Sequence, residues 1–386
     1  MNRREFLIQS GAAGSAAILS PLAATAQTNR VVDKIRVGVI GCGSVSNVYL
    51  PHLSASPHVE LVSTCDIIPE RARTQAERFS IGRHYPHIDD FLAGEQFDLM
   101  INLTDMQEHE RLNRQALEDG RNVWSEKPMA NSYAAGVDLL DLARRRNLSL
   151  WGAPAVVTSP QFAFMSRMIS EGMLGRVAAA HATYGHLGPD WSAFFYEKGG
   201  GSLPDLGVYN ITSLTGLLGP ARAVVAMTGI ITPTRMTQNK GEVTVEAEDN
   251  AMLILDHGNG VFSHVQSGFN YFDPYGHEGA GQERPTISIV GMGGNMHLIG
   301  YDWAPSGVDL ATVEHPETTR FATDTEGYVW EQGASYVMKK MLTGESSLIT
   351  PEHALHVLEI IEATRESQAT GRRIALQSTF KWPVVS

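Results

Sequence analysis

Lys34-Ile35-Arg36-Val37-Gly38-Val39-Ile40-Gly41-Cys42-Gly43-Ser44-Val45-Ser46 decides the fold. Ile35 to Ile40 is apolar and rich in β-branched residues, the pattern of a strand buried on both faces. Gly41-Cys42-Gly43 breaks it, and a helix follows through Leu53. The first glycine suits a tight turn and the second lets backbone approach a pyrophosphate, while helix N-terminal amides favour anions. Ser46 stands where a third Gly or Ala is usual. Taken alone the run is equally a plain glycine turn.

Moving outward, Val59 to Cys65 reads as a second strand ending at Asp66, and Pro69 to Phe79 as a helix. Phe97 to Leu103 and Asn122 to Ser125 are further strands, with helices over His109 to Gly120 and from Pro128 to Arg146. Strand and helix alternating at this spacing predict parallel βαβ units over residues 33–151. After Trp151 the pattern changes. Arg176–Tyr184, Ala223–Ile231, Glu248–Asp256, Val261–Phe269, Thr286–Val290 and Asn295–Ile299 read as strands joined by turns, with His257-Gly258-Asn259-Gly260 a hairpin signal. Helices are expected near Gln161–Glu171 and Pro204–Leu218. The fold class is therefore α/β plus α+β. An N-terminal Rossmann dinucleotide-binding domain precedes a substrate domain, residues 152–386, with a mainly antiparallel sheet; the resemblance given below implies that this sheet is open-faced and that the domain also serves oligomerisation. A last helix, Pro351 to Thr370, ends at Gly371 and is expected to pack back toward the first domain.

With 386 residues, two domains are expected, since one core rarely grows past about 250–300 residues. A net charge of −12, with no basic block beyond the extreme N-terminus, argues against a nucleic-acid partner. Arg3 and Arg4, Glu5-Phe6-Leu7, a Gly/Ala-rich run and Ala24-Thr25-Ala26 form an export signal of the twin-arginine type over residues 1–26. That predicts a periplasmic or otherwise exported protein. The alternative, a membrane anchor, is interrupted by Ser10, Gly11, Gly14, Ser15 and Pro21, whereas a span wants about 20 mainly apolar residues. The two cysteines, Cys42 and Cys65, fall in the cofactor segment and read as small packing residues rather than a disulfide framework. No His, Cys or carboxylate cluster has metal-ligand spacing, so no metal is expected.

Asp66 stands where an acidic residue binds the adenosine ribose hydroxyls and repels a 2′-phosphate, so NAD is favoured over NADP. Arg71 or Arg73 would blunt that preference. Lys127, in Glu126-Lys127-Pro128, lies at the carboxyl edge of the sheet, where ligands bind. It reads either as a lysine hydrogen-bonded to the reacting hydroxyl or as a surface ion pair before a helix. Gly199-Gly200-Gly201-Ser202-Leu203-Pro204-Asp205-Leu206-Gly207-Val208-Tyr209 permits close approach of backbone to ligand. Asp205 and Tyr209 share one helical face. A phenol beside a lysine can carry a proton, although Asp205 as a dipole partner and Tyr209 as core are the bland alternatives. His181, His186, Asp190 and Trp191 form a plausible substrate wall, with Trp191 equally a packing residue.

These motifs together resemble the Gfo/Idh/MocA oxidoreductases over nearly all of the chain from Ile35 to about Leu376. The resemblance rests on Gly41-Cys42-Gly43, Glu126-Lys127-Pro128, the glycine-rich stretch through Tyr209, Asn102-Leu103-Thr104 with His109, and Gly371. Tyr209, where many members carry His, is similar to the glucose–fructose oxidoreductase branch. The resemblance implies hydride transfer between a sugar carbon and a nicotinamide, with Lys127, Asp205 and Tyr209 as catalytic residues. It implies cofactor contacts from Gly41, Gly43, Ser44, Val45, Asp66, Thr104, His109, Glu126 and Lys127, and substrate contacts from His186 and Trp191. A Lys-Pro bond that is often cis and a homo-oligomer formed through the sheet face are also implied. Asp105 departs from the usual Pro, and Gly152-Ala153-Pro154 from a segment that often carries Asn or Arg for substrate. Export makes free NAD scarce, so a tightly held cofactor recycled in the site is expected. The alternatives are redox-neutral glycoside cleavage by oxidation, elimination and reduction, and a non-catalytic cofactor-binding module.

Overall fold

The structure, a computed structural model, describes residues 33–274 and 283–385; residues 1–26, read above as an export signal, lie outside them. In the first domain β1 (Ile35–Ile40), β2 (Val59–Cys65), β3 (Arg83–Tyr85), β4 (Leu99–Asn102), β5 (Asn122–Ser125) and β6 (Leu150–Gly152) form a parallel sheet in the order 3-2-1-4-5-6. The connecting helices are α1 (Ser46–Ala55), α2 (Pro69–Arg78), α3 (Ile88–Ala93), α4 (His109–Glu118) and α5 (Tyr133–Arg145). Strand order reverses between β2 and β4 on either side of β1, and the crevice beyond the carboxyl ends of the strands is where open α/β sheets bind ligands. Gly41 sits at that reversal with φ 89°. A Cβ there would stand 2.5 Å from the Leu103 carbonyl carbon, so only glycine lets the β1 turn pass the end of β4.

Short β3, α3 and β6 were not anticipated, because Arg83-His84-Tyr85 has no apolar alternation and Leu150-Trp151-Gly152 is too brief to show one.

The second domain is built on one large sheet. Its strands are β7 (Val177–Gly185), β8 (Ala223–Gly229), β11 (Asn250–Gly258), β12 (Val261–Gly268), β13 (Pro285–Gly291), β14 (Gly294–Tyr301), β15 (Ala304–Thr312), β16 (Thr319–Phe321) and β17 (Ile374–Ala375), with the small hairpin β9 (Thr234–Thr237) and β10 (Gly241–Thr244) apart. The order is 16-15-14-13-7-12-11-8-17, and its neighbours are antiparallel except β7 and β12, which run parallel. Strand β15 escapes a sequence reading because Pro305 and Gly307 look like a turn. The β14–β15 register shift beside Gly300 absorbs them.

Helices α6 (Pro160–Ser170), α7 (Val208–Leu218) and α9 (Pro351–Thr370) cover one face of this sheet. The other face is open, and carries exposed Val225, Met227, Met252, Ile254, Phe262 and Val290. A further helix, α8 (Gly333–Thr343), packs beside α1 through the turn before it.

Helix α9 starts where Thr350 accepts a hydrogen bond from the His353 amide and stops at Gly371 with φ 65°. It lies on β8 along one side and on α5 along the other. Leu358 is buried in the core of the first domain, and a Cβ on Gly136 of α5 would meet Leu355 at 2.8 Å. One helix thus serves two cores. Leu358→Ala is expected to cost about 2–5 kcal/mol in urea unfolding; a loss below 1 kcal/mol would show that α9 is not integral to the first domain.

Candidate active site

Between β1 and α1 the Cys42 amide donates to Asp66 Oδ2 at 2.8 Å, and the Ile68 amide to Asp66 Oδ1 at 2.8 Å. Asp66 thereby fixes the glycine loop to the end of β2. The amides of Gly43, Ser44 and Val45 donate to nothing among the described residues, and no side chain caps α1. Uncapped amides at a helix start are a ready anion site, so the loop fits a dinucleotide pyrophosphate. Arg73 pairs with Glu70 and Glu77 on the exposed side of α2, and Arg71 stands beside Gly43. Cys42 and Cys65 are buried free thiols, both pushed up by burial, and act as packing residues.

From this loop a cleft of about 1340 Å³, mouth included, runs into the second domain. Ser44, Val45, Thr104, His109, Glu126, Lys127, His186, Trp191, Asp205 and Tyr209 all line it. Gly41, Gly43 and Asp66 lie at its cofactor end, outside the lining. At the centre, Lys127 Nζ lies 2.6 Å from Asp205 Oδ1 and also donates to the Asp205 carbonyl at 2.9 Å. Their side chains are only 11% and 13% exposed, which rules out the surface ion pair. Lys127 follows β5 through a cis Lys127–Pro128 bond, and Asp205 sits in a wide π-type turn, Leu203–Gly207, that leads into α7. Such turns are frequent at functional sites.

Tyr209 turns its ring toward the same ammonium, whose nitrogen lies 5.3 Å from the ring centroid. Burial first, then the nearby Glu126 carboxylate, pushes its phenol well above the usual range. The phenol is therefore protonated at neutral pH. Glu126 accepts the Tyr49 hydroxyl at 2.6 Å and the Lys127 amide at 3.1 Å, so both its oxygens hold the turn. His109 is buried with its ring nitrogens on the Pro128 and Thr104 carbonyls, at 2.8 and 2.9 Å. Burial pushes its pKa down and the two carbonyls oppose that shift, and the ring braces the two loops that shape the cleft. Thr104 hydrogen-bonds Asn102 through both its amide and its hydroxyl.

His186 Nδ1 accepts the Gly188 amide at 3.0 Å, which places its ring proton on Nε2. Trp191 is 39% exposed at the rim, edge-on to Phe194 and Phe195. His181 is not part of the wall. It points to the open sheet face beside His264, with ring centroids 6.0 Å apart.

Three contributors were missed. Trp303 donates to the Tyr184 hydroxyl at 2.9 Å, and Trp330 meets Tyr49 edge-on at 5.6 Å; both line the cleft. Glu248 is the third. Its Oε1 accepts the Leu203 amide at 2.8 Å, capping the turn that carries Asp205, and its carboxylate fills the space a Gly201 side chain would need. That explains the third glycine of the run.

Burial raises the Glu248 carboxyl to about 7, opposed by Arg365 and reinforced by Asp249. Because the folded value lies above the unfolded 4.5, its contribution to stability is present at low pH and is lost as pH rises toward 7. Glu248→Gln keeps the accepted hydrogen bond without the charge. Its stability relative to the parent is expected to rise by about 2–3 kcal/mol between pH 4.5 and pH 8 in urea melts; a pH-independent difference contradicts the assignment.

Residues 35–152 match the model of an oxidoreductase family with an NAD-binding Rossmann fold, and residues 162–297 match the GFO/IDH/MocA C-terminal domain. The chain is 31% identical over 193 residues to a dTDP-3,4-didehydro-2,6-dideoxy-alpha-D-glucose 3-reductase of Streptomyces violaceoruber, covering 49% of this chain and 56% of that one. It spans 55% of an uncharacterized oxidoreductase of Rhizobium meliloti, at 28% identity over 47% of this chain. These matches thus cover little more than half of either relative. A scyllo-inositol 2-dehydrogenase (NADP(+)) of Bacillus subtilis is 24% identical over 90% of this chain and 98% of its own. Among solved structures, the aldose–aldose oxidoreductase from Caulobacter crescentus, complexed with glycerol, superposes with a TM-score of 0.76 at 19% identity, covering 89% of this chain and all of that one. Levoglucosan dehydrogenase, in complex with NADH and levoglucosan, gives 0.76 and 19%, over 89% and 99%. At these identities the structural likeness is one of fold.

Proposed function

Because this chain belongs to the Gfo/Idh/MocA family of oxidoreductases, we propose that it is an NAD-dependent enzyme acting on a hydroxyl-bearing carbon of a carbohydrate. The buried Lys127–Asp205 pair, on the floor of an aromatic-walled cleft that opens onto uncapped amides, carries this reading. The sugar substrates and nicotinamide complexes named for its relatives support it. NAD, when bound, supplies the hydride acceptor.

The other steps belong to the chain's own residues. Gly43, Ser44 and Val45 would offer amides to the pyrophosphate, and Asp66 would accept from the adenosine ribose hydroxyls, which favours NAD over NADP. Two Lys127 N–H groups are held by Asp205 among the described residues, leaving the third for the substrate oxygen. During oxidation Lys127 takes the hydroxyl proton as it hands one of its own to the Asp205 carboxylate, and during reduction the transfer runs in reverse. Tyr209, protonated, donates to the same oxygen or to a neighbouring one. His186 and Trp191 orient the sugar. A protonated phenol in the cleft also suits a second reading, redox-neutral cleavage of a glycoside, in which Tyr209 serves as the acid toward the departing oxygen.

Export by the twin-arginine route moves folded protein, so the cofactor enters already bound and is recycled by a closed redox cycle. The exposed apolar row on the open sheet face, with Met227 76% exposed, supports a homo-oligomer assembled there. Lys127→Ala is expected to lower kcat by about 10²–10⁴-fold with retained nicotinamide binding. A variant that turns over sugar at the parental rate would remove the proposed centre.

A further inference from the structure

A second cavity adjoins the cleft at its aromatic wall. Trp303 and Trp330 line both, the second being about 990 Å³ with its mouth included, so the two chambers share these indoles. Without their open mouths the chamber holds about 530 Å³ and the cleft about 460 Å³, both within the usual size of ligand pockets, about 300–1,000 Å³. The shared indoles are held rigidly. Trp303 stacks on Tyr301 with centroids 5.4 Å apart and planes 9° from parallel, and donates to Tyr184. Trp330 packs edge-on against Tyr49, which holds Glu126 next to Lys127. Indole faces of this kind receive the apolar C–H face of a sugar ring while its hydroxyls reach polar neighbours.

The second chamber supplies such neighbours in Thr323, Thr325 and Glu331, all partly or fully solvent-facing, and in Tyr328. The Tyr328 hydroxyl is buried and makes no hydrogen bond among the described residues. Charge narrows the ligand further. Among the described residues, no arginine or lysine lines the second chamber, and in the cleft only Lys127 does, with two of its N–H groups held by Asp205. The ionisable carboxylates present are Glu126, Asp190 and Asp205 in the cleft and Glu331 in the chamber. A diphosphate or a sugar carboxylate would be desolvated here without a counter-ion.

We propose that the second chamber binds an uncharged second sugar ring, so that the substrate is a neutral glycoside of at least two rings, with its first ring over Lys127 and Asp205. Nucleotide-linked and carboxylated sugars are then excluded. This rests on reading the cleft as a carbohydrate site, but it is tested by binding and not by turnover. Titration calorimetry of the NAD-loaded mature protein would compare cellobiose, maltose and trehalose with glucose, and glucuronic acid and UDP-glucose with both. At least one neutral disaccharide is expected to bind about tenfold tighter than glucose, and both charged sugars weaker than glucose.

Thr325→Trp fills the chamber from an exposed position, and Thr323→Trp provides a second filling variant. Either is expected to bring the disaccharide-to-glucose affinity ratio close to one. Equal binding of glucose and all three disaccharides, a preference untouched by both variants, or tightest binding of a charged sugar would each overturn the proposal. A disaccharide that binds with the predicted preference but is not oxidised supports the chamber and counts against the enzymatic reading alone.

Discussion

The ion pair between Lys127 and Asp205 joins the two halves of the molecule at the point where they meet. The lysine comes from the end of a parallel strand in the first domain, and the aspartate from the turn that opens α7 in the second. Nearly buried, the pair satisfies each partner's charge, and taking either away leaves the other uncompensated in a poorly hydrated site. Much of the surrounding architecture keeps these two groups in register.

On the lysine side, Tyr49 and Glu126 pin the strand end, and His109 ties Pro128 to Thr104. On the aspartate side, Glu248 caps the turn from below, Gly201 makes room for it, and Arg365 of α9 reaches the Gly200 carbonyl. The same helix α9 buries Leu358 in the first domain. Packing that stabilises the domain junction and packing that aligns the site are therefore largely the same set of contacts, which preorganises the interdomain cleft.

The parts legible in the sequence are those where local chemistry and periodicity agree. Strand β1 with its glycine turn is legible because an uninterrupted apolar run ends in residues that only a tight loop requires. Helix α9 is legible from Thr350 and Pro351 at its start and Gly371 at its end. Lys127, Asp205 and Tyr209 are legible as candidates because they follow a strand or share a helix face, yet their meeting is a tertiary fact. His181 was misplaced because Ala178, Ala179, Ala180 and Ala182 put alanine on both faces of β7, hiding which face is inner. Glu248 gives no local signal at all: its partners, Gly201 and Leu203, lie far back along the chain. Trp303 and Trp330 are likewise brought to the cleft by a strand disguised as a turn and by a short loop before α8.

The most direct test of the account is the near-ultraviolet absorbance and fluorescence of the purified protein, recorded before any cofactor is added and again after mixing with neutral sugars. The account predicts a retained nicotinamide whose reduced-state signal changes with a sugar in the parent protein and fails to change in Asp205→Asn. Protein that carries nucleotide but shows the same sugar-dependent signal in both forms would contradict the central place given to the Lys127–Asp205 pair.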